Sequence, residues 1–148
     1  MTRQELTEKI RDRKRASGKT WQALAAEIRP GSEVLTTAAL LGQMMLLPEE
    51  AAKAATALGL DEVETAMLAE VPYRGSLPAA VPTDPLIYRL YELISVYGTT
   101  FKALIEEEFG DGIMSAIDFD MTMTRQVDPK GDRVKLEMTG KFLPYKRY

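Results

Sequence analysis

The chain has 148 residues, 45% apolar and 28% charged, with 19 basic against 22 acidic side chains and a net charge of −3. That is material for one domain or two small ones, with no overall field favouring nucleic acid or an anionic membrane. Histidine and cysteine are both absent, which excludes serine–histidine and cysteine–histidine nucleophile pairs, zinc sites built from those ligands, and disulfides. Any catalysis falls to Arg, Lys, Asp, Glu, Tyr, Ser, Thr or backbone groups. The opening residues hold no apolar signal-peptide core and no run approaches membrane-spanning length, so the expected compartment is the cytoplasm.

The first seventy residues read as helices. Leu6, Ile10 and Arg13 fall on one face of a first helix that runs to Ser17 and Gly18. Thr20 is placed to cap a second, beginning at Trp21 and ended by Pro30 and Gly31. Ser32 is placed to cap a third through Leu41, with Val34, Ala38 and Leu41 inward. Pro48 opens a fourth that Gly59 stops, and Asp61 caps a last short helix carrying Val63, Ala66 and Met67. Five short helices in this length predict a compact bundle. Residues 71–82 hold three prolines and a glycine and read as an extended linker. The expected domains are 1–76 and 77–148.

Beyond the linker, Asp84 and Pro85 start a helix expected to run to Tyr97, with Gly98 as its cap. Thr99 is expected to cap another through Phe109, stopped by Gly110. Residues 117–124 then alternate strictly, with apolar side chains at odd positions, which predicts a half-buried strand. Asp128, Pro129 and Gly131 mark a turn, and Val134, Leu136 and Met138 alternate on a second strand. A hairpin with so little chain to cover it needs a packing partner, which points to another subunit. The fold class is α+β.

Residues 20–47 have the outline of a helix-turn-helix, which would place the second helix of the pair in a DNA groove. The exposed candidates on that helix are Glu33, Thr36, Thr37 and Gln43. Residues 20–70 hold two basic side chains, Arg29 and Lys53, against eight acidic ones. Phosphate contact supplies most non-specific DNA affinity, so this face repels DNA, and a bundle used for packing is the better reading.

The anion-binding candidates lie further on. Arg89 and Glu92 are one helical turn apart on one face. In isolation that spacing is most commonly a solvated ion pair. An arginine fork nevertheless suits carboxylate-like anions, including bicarbonate, and a carboxylate beside it can orient the guanidinium or handle a proton. Ser115 follows Gly110, Asp111 and Gly112, where a hydroxyl and backbone N–H groups beside a glycine turn can form a small anion nest. The commoner meaning of such a serine is a small residue at a helix-to-strand junction, and spacing alone does not link it to Arg89. The glutamates 106–108 read as a solvated helix end. Asp118 and Asp120, on a polar strand face, are too few for an oxygen-ligand metal site.

The runs 82–92, 97–104 and 109–117, with Arg74 and Gly75, the close at 140–145, and residues 37–43 with Leu47 and Pro48, together resemble cyanases (cyanate hydratases) across the whole chain. The resemblance implies combination of cyanate with bicarbonate to give carbamate and carbon dioxide, the carbamate then falling to ammonia and more carbon dioxide. It implies bicarbonate as a co-substrate, with no metal and no organic cofactor. The implied fold is a repressor-like N-terminal five-helix bundle without DNA-binding function, joined to a C-terminal helix and β-hairpin domain that interlaces with a second subunit. Homodimers of this kind would form a homodecamer with active sites between subunits, binding no nucleic acid and no membrane. The family's catalytic arginine, glutamate and serine fall on Arg89, Glu92 and Ser115. The rival reading is a helix-turn-helix transcriptional regulator that senses a small anion.

Overall fold

The structure, a computed structural model, describes residues 1–146. Six helices precede a two-stranded antiparallel sheet: α1 Arg3–Ser17, α2 Trp21–Ile28, α3 Glu33–Leu40, α4 Pro48–Leu58, α5 Glu62–Ala69, α6 Pro85–Phe109, β1 Gly112–Gln126 and β2 Arg133–Pro144. Two compact units are distinguished. One holds Met1–Gly75 with Met121–Met138, the other Ser76–Asp120 with the chain from Thr139 on.

Most of the bundle's helices start and stop where local chemistry says they should; Ser32 precedes α3 as expected, but its side chain makes no cap hydrogen bond. Thr2 caps α1 reciprocally with Glu5, and Asp61 caps α5 reciprocally with Glu64. Thr20 Oγ1 accepts the Ala23 N–H at 3.0 Å. Gly18 and Gly59 end α1 and α4 in the left-handed region, at φ 68° and 65°, where a glycine carries no Cβ penalty. Leu6, Ile10, Leu24, Ile28, Leu40, Ala54 and Leu68 meet in one core, each at most 1% exposed.

One inward face, that of α3, differs from the sequence expectation. On α3 the buried residues are Thr36, Ala39 and Leu40, while Val34, Ala38 and Leu41 are only part-buried. On α5 they are Glu64 and Leu68, and Val63 is 68% exposed. A short helix tilts to suit its neighbours, and in two turns a small rotation changes which residue faces the core. Thr36 is thus not available to a groove. Gln43 lies past the end of α3, where its side-chain oxygen accepts the Gly75 N–H at 2.8 Å.

The break expected at Gly98 does not occur. α6 runs unbroken for 25 residues, capped by Asp84, whose carboxylate accepts the N–H groups of Leu86 and Ile87 at 2.9 and 3.0 Å. A single glycine costs a helix only about 1 kcal/mol relative to alanine, too little to stop α6 even between the β-branched and aromatic neighbours Val96, Tyr97, Thr99 and Thr100. No residue of α6 is buried. Leu86, Leu90, Leu93, Tyr97, Phe101 and Leu104 recur at steps of three and four along one stripe, and each is at least 43% exposed within the single chain. The end of the helix is tied down locally: the Phe109 and Phe142 rings lie 5.2 Å apart, and the Tyr145 N–H donates to the Asp111 carbonyl at 3.0 Å.

Candidate functional site

Arg89 and Glu92 sit early in α6. Arg89 Nη1 donates to Glu92 Oε2 at 2.8 Å, with the two side chains 70% and 46% exposed. The i,i+3 spacing read from the sequence therefore becomes a bonded pair. The guanidinium lies over the Tyr88 ring, 5.9 Å from Cζ to the ring centroid. A guanidinium has five N–H donors in a planar fork. Glu92 engages one edge, and the rest of the fork can meet an anion.

Ser115 sits inside β1, not in a glycine turn, and is 6% exposed. Its Oγ accepts two backbone N–H groups of its own strand, from Ile117 at 3.0 Å and Asp118 at 2.9 Å. In a regular strand adjacent N–H groups point to opposite edges, so both can reach one atom only if the strand kinks. This is a bulge, and it accompanies a β1 of 15 residues paired with a β2 of 12. The bulge changes the chemistry expected of this segment. The N–H groups of Ile117 and Asp118 are committed to Ser115 and do not form an open nest. The hydroxyl has two lone pairs and one hydrogen. Both lone pairs are engaged, so its remaining capacity is to donate.

Gly140 of β2 faces this bulge. A Cβ there would lie 2.3 Å from the Ser115 carbonyl oxygen and 2.7 Å from Met114 Cγ, so no other residue fits without moving the backbone of Ser115. Reasoning from residue chemistry missed Gly140 as a support. The available signal was a glycine inside a strand pattern, which marks a bulge or a close backbone approach. Gly112 makes a similar approach to Leu143 at the start of the sheet.

The structure therefore brings Arg89 and Glu92 together. Among the described residues, Ser115 forms no hydrogen bond with either. The glutamate run is partly engaged: Lys102 binds Glu106 one turn along α6, and that carboxylate holds the Lys102 ammonium above its usual pKa. Asp118 and Asp120 are exposed. Among the described residues no helix is long and apolar enough to cross a membrane.

Comparison with known proteins covers both halves of the chain. Residues 3–72 match the N-terminal domain of cyanate hydratase, and residues 79–147 match the cyanate lyase C-terminal domain. The chain is 61% identical to cyanate hydratase of Dechloromonas aromatica (strain RCB) and 60% identical to that of Ralstonia pickettii (strain 12J), in each case over 148 residues and the whole of both chains. A crystal structure of cyanase from T. urticae matches with a TM-score of 0.81 at 37% identity, covering 94% of this chain and 96% of that one.

Proposed function

The chain belongs to the cyanate hydratase (cyanate lyase) family and is an enzyme that decomposes cyanate; we propose that it does so with bicarbonate as co-substrate, at a site made from Arg89, Glu92 and Ser115. The observation that carries the activity is identity of 61% over the full length of a cyanate hydratase. The site is supported by chemistry: an arginine fork fixed on one edge by Glu92, and a buried serine whose hydroxyl is left to donate.

The task is to hold two mutually repelling anions in reacting geometry, so orientation and electrostatic stabilisation carry the catalysis. Arg89 neutralises their charge. Ser115 donates its O–H to an anionic oxygen and takes no part as nucleophile or base, because its lone pairs are occupied. A bicarbonate oxygen attacks the cyanate carbon and forms a C–O bond, while the bicarbonate proton passes to the cyanate nitrogen. The dianionic adduct takes one further proton at nitrogen from solvent. The bond between the bridging oxygen and the former bicarbonate carbon then breaks, releasing carbon dioxide and carbamate. Carbamate takes a proton and falls to ammonia and a second carbon dioxide. Glu92 orients Arg89 throughout. No metal or organic cofactor enters this scheme.

The site is proposed to be completed by self-association. In support, the α6 stripe is exposed along its length and Ile117 of β1 is 98% exposed, which a second copy covering both would relieve. Homodimers that assemble into a homodecamer are the proposed form. A chain without cysteine gains nothing from an oxidising compartment, and the cytoplasm is the compartment proposed.

The test is ammonia release from purified protein given cyanate in carbon-dioxide-free buffer, with and without added bicarbonate. Bicarbonate-dependent ammonia is expected. Equal release without bicarbonate would remove the co-substrate, and no release from folded, assembled protein would remove the activity.

A further inference from the structure

We infer that Tyr88 is a positioning residue for Arg89, its ring setting the plane in which the guanidinium fork meets the substrate anion. This rests on the proposed role of Arg89 as the anion-holding group.

Arg89 is mostly in water and carries a long, flexible side chain. A single hydrogen bond to Glu92 fixes one nitrogen and leaves the fork free to turn about that bond. A second contact, from another residue, restricts this freedom. The Tyr88 ring centroid lies 5.9 Å from Arg89 Cζ, within the range in which a cation is attracted to an aromatic ring. Tyr88 is itself steadied by Tyr91, at 6.0 Å between centroids and a 39° tilt. The hydrogen bond and the ring contact on the guanidinium are thus supplied by separate residues within two turns of α6. Tyr97 and Phe101 form a comparable aromatic pair further along, with centroids 6.4 Å apart. That pair is an internal reference for what an aromatic contributes to α6 by bulk alone.

The experiment measures kcat and KM for cyanate and bicarbonate in the full-length enzyme and in Tyr88→Leu, Tyr88→Met, Tyr88→Phe and Tyr97→Leu. Loss of the ring should raise the KM of at least one anion about two- to five-fold, the size of an exposed cation–ring contact. Loss of aim should lower kcat as well. Tyr88→Phe keeps the ring and should restore most of what Tyr88→Leu loses. Tyr97→Leu measures the structural cost and should move assembly and apparent kcat, not KM. Because KM is a property of the assembled fraction, partial misassembly does not mask the result. Unchanged KM values in Tyr88→Leu and Tyr88→Met, or Tyr88→Phe as impaired as either, would overturn the inference. A wild-type enzyme that releases no ammonia from cyanate would instead overturn the functional reading beneath it.

Discussion

The five-helix bundle and α6 draw on similar amino acids to opposite ends. In the bundle, Leu6, Ile10, Leu24, Leu40 and Leu68 are all at 0% exposure, packed by helices of 8 to 15 residues. In α6, 25 residues long, not one residue is buried, although leucines and aromatics recur along a single stripe. Full burial of one such side chain is worth about 1.5–3 kcal/mol. The bundle obtains that within its own chain; α6 would obtain it from the second copy proposed to cover it. The proposed catalytic pair Arg89 and Glu92 lies on the helix with no buried residue. The helices that are complete alone carry no arginine or lysine on the face that could have read DNA.

The largest effect expected from this contrast is at Arg89. Arg89→Leu should lower kcat/KM by about 10³-fold or more, the scale of removing a key charge-stabilising donor. Its side chain is 70% exposed and contributes nothing to a core, so melting temperature and sedimentation should stay those of the wild type. Kinetics paired with analytical ultracentrifugation separates the two. Activity within ten-fold of wild type would take Arg89 out of the mechanism.

A smaller loss is expected from the stripe. Leu93→Glu puts a charge at a position 43% exposed in the single chain, which costs little if that surface faces water and a great deal if a second copy covers it. The expected result is a shift to smaller species by light scattering and loss of most activity, with the bundle's helical signal retained. Wild-type unfolding should depend on protein concentration. A fully assembled Leu93→Glu would show that the stripe faces water, and would break the contrast between the two regions.

How much of this was legible in the sequence follows from the range of each interaction. Caps are local, so Thr20, Asp61 and Asp84 announce their helices, and the alternation after residue 116 announces β1. The continuity of α6 through Gly98 was not legible, because a glycine marks both a helix cap and a tolerated interior position, and local sequence does not decide between them. Arg89 and Glu92 were legible as a pair, since their contact is set by helix geometry. The Ser115 bulge was not: it needs Gly140 from the other strand to leave room for it. The burial of Glu64 on α5 was not legible for the same reason. Glu64 reads as a cap partner on its own helix, and its burial is decided by Lys9, 55 residues earlier.

That pair gives the smallest and most pH-specific expectation. The Glu64 side chain is 1% exposed. One carboxylate oxygen takes the Lys9 ammonium and the other accepts the Asp61 N–H at 2.9 Å. The bond from Lys9, and after it the backbone bond from Asp61, hold this carboxyl below the usual carboxylate pKa. A carboxyl depressed in the folded state contributes stability that is fully present above the unfolded carboxylate pKa, about 4.3. That stability is lost as pH falls through the lower folded value. Glu64→Gln keeps the shape and the Asp61 bond but removes the charge opposite Lys9. It should lower Tm by several degrees at neutral pH, and its difference from wild type should close as pH drops below about 4. Thermal melts of both proteins across that range supply the measurement. Equal melting temperatures at every pH would mean that Glu64 contributes through its shape and the Asp61 bond, and that the charge opposite Lys9 adds nothing. At this position the bundle would then be what α6 is not: held by its apolar core, with no share from the buried ion pair.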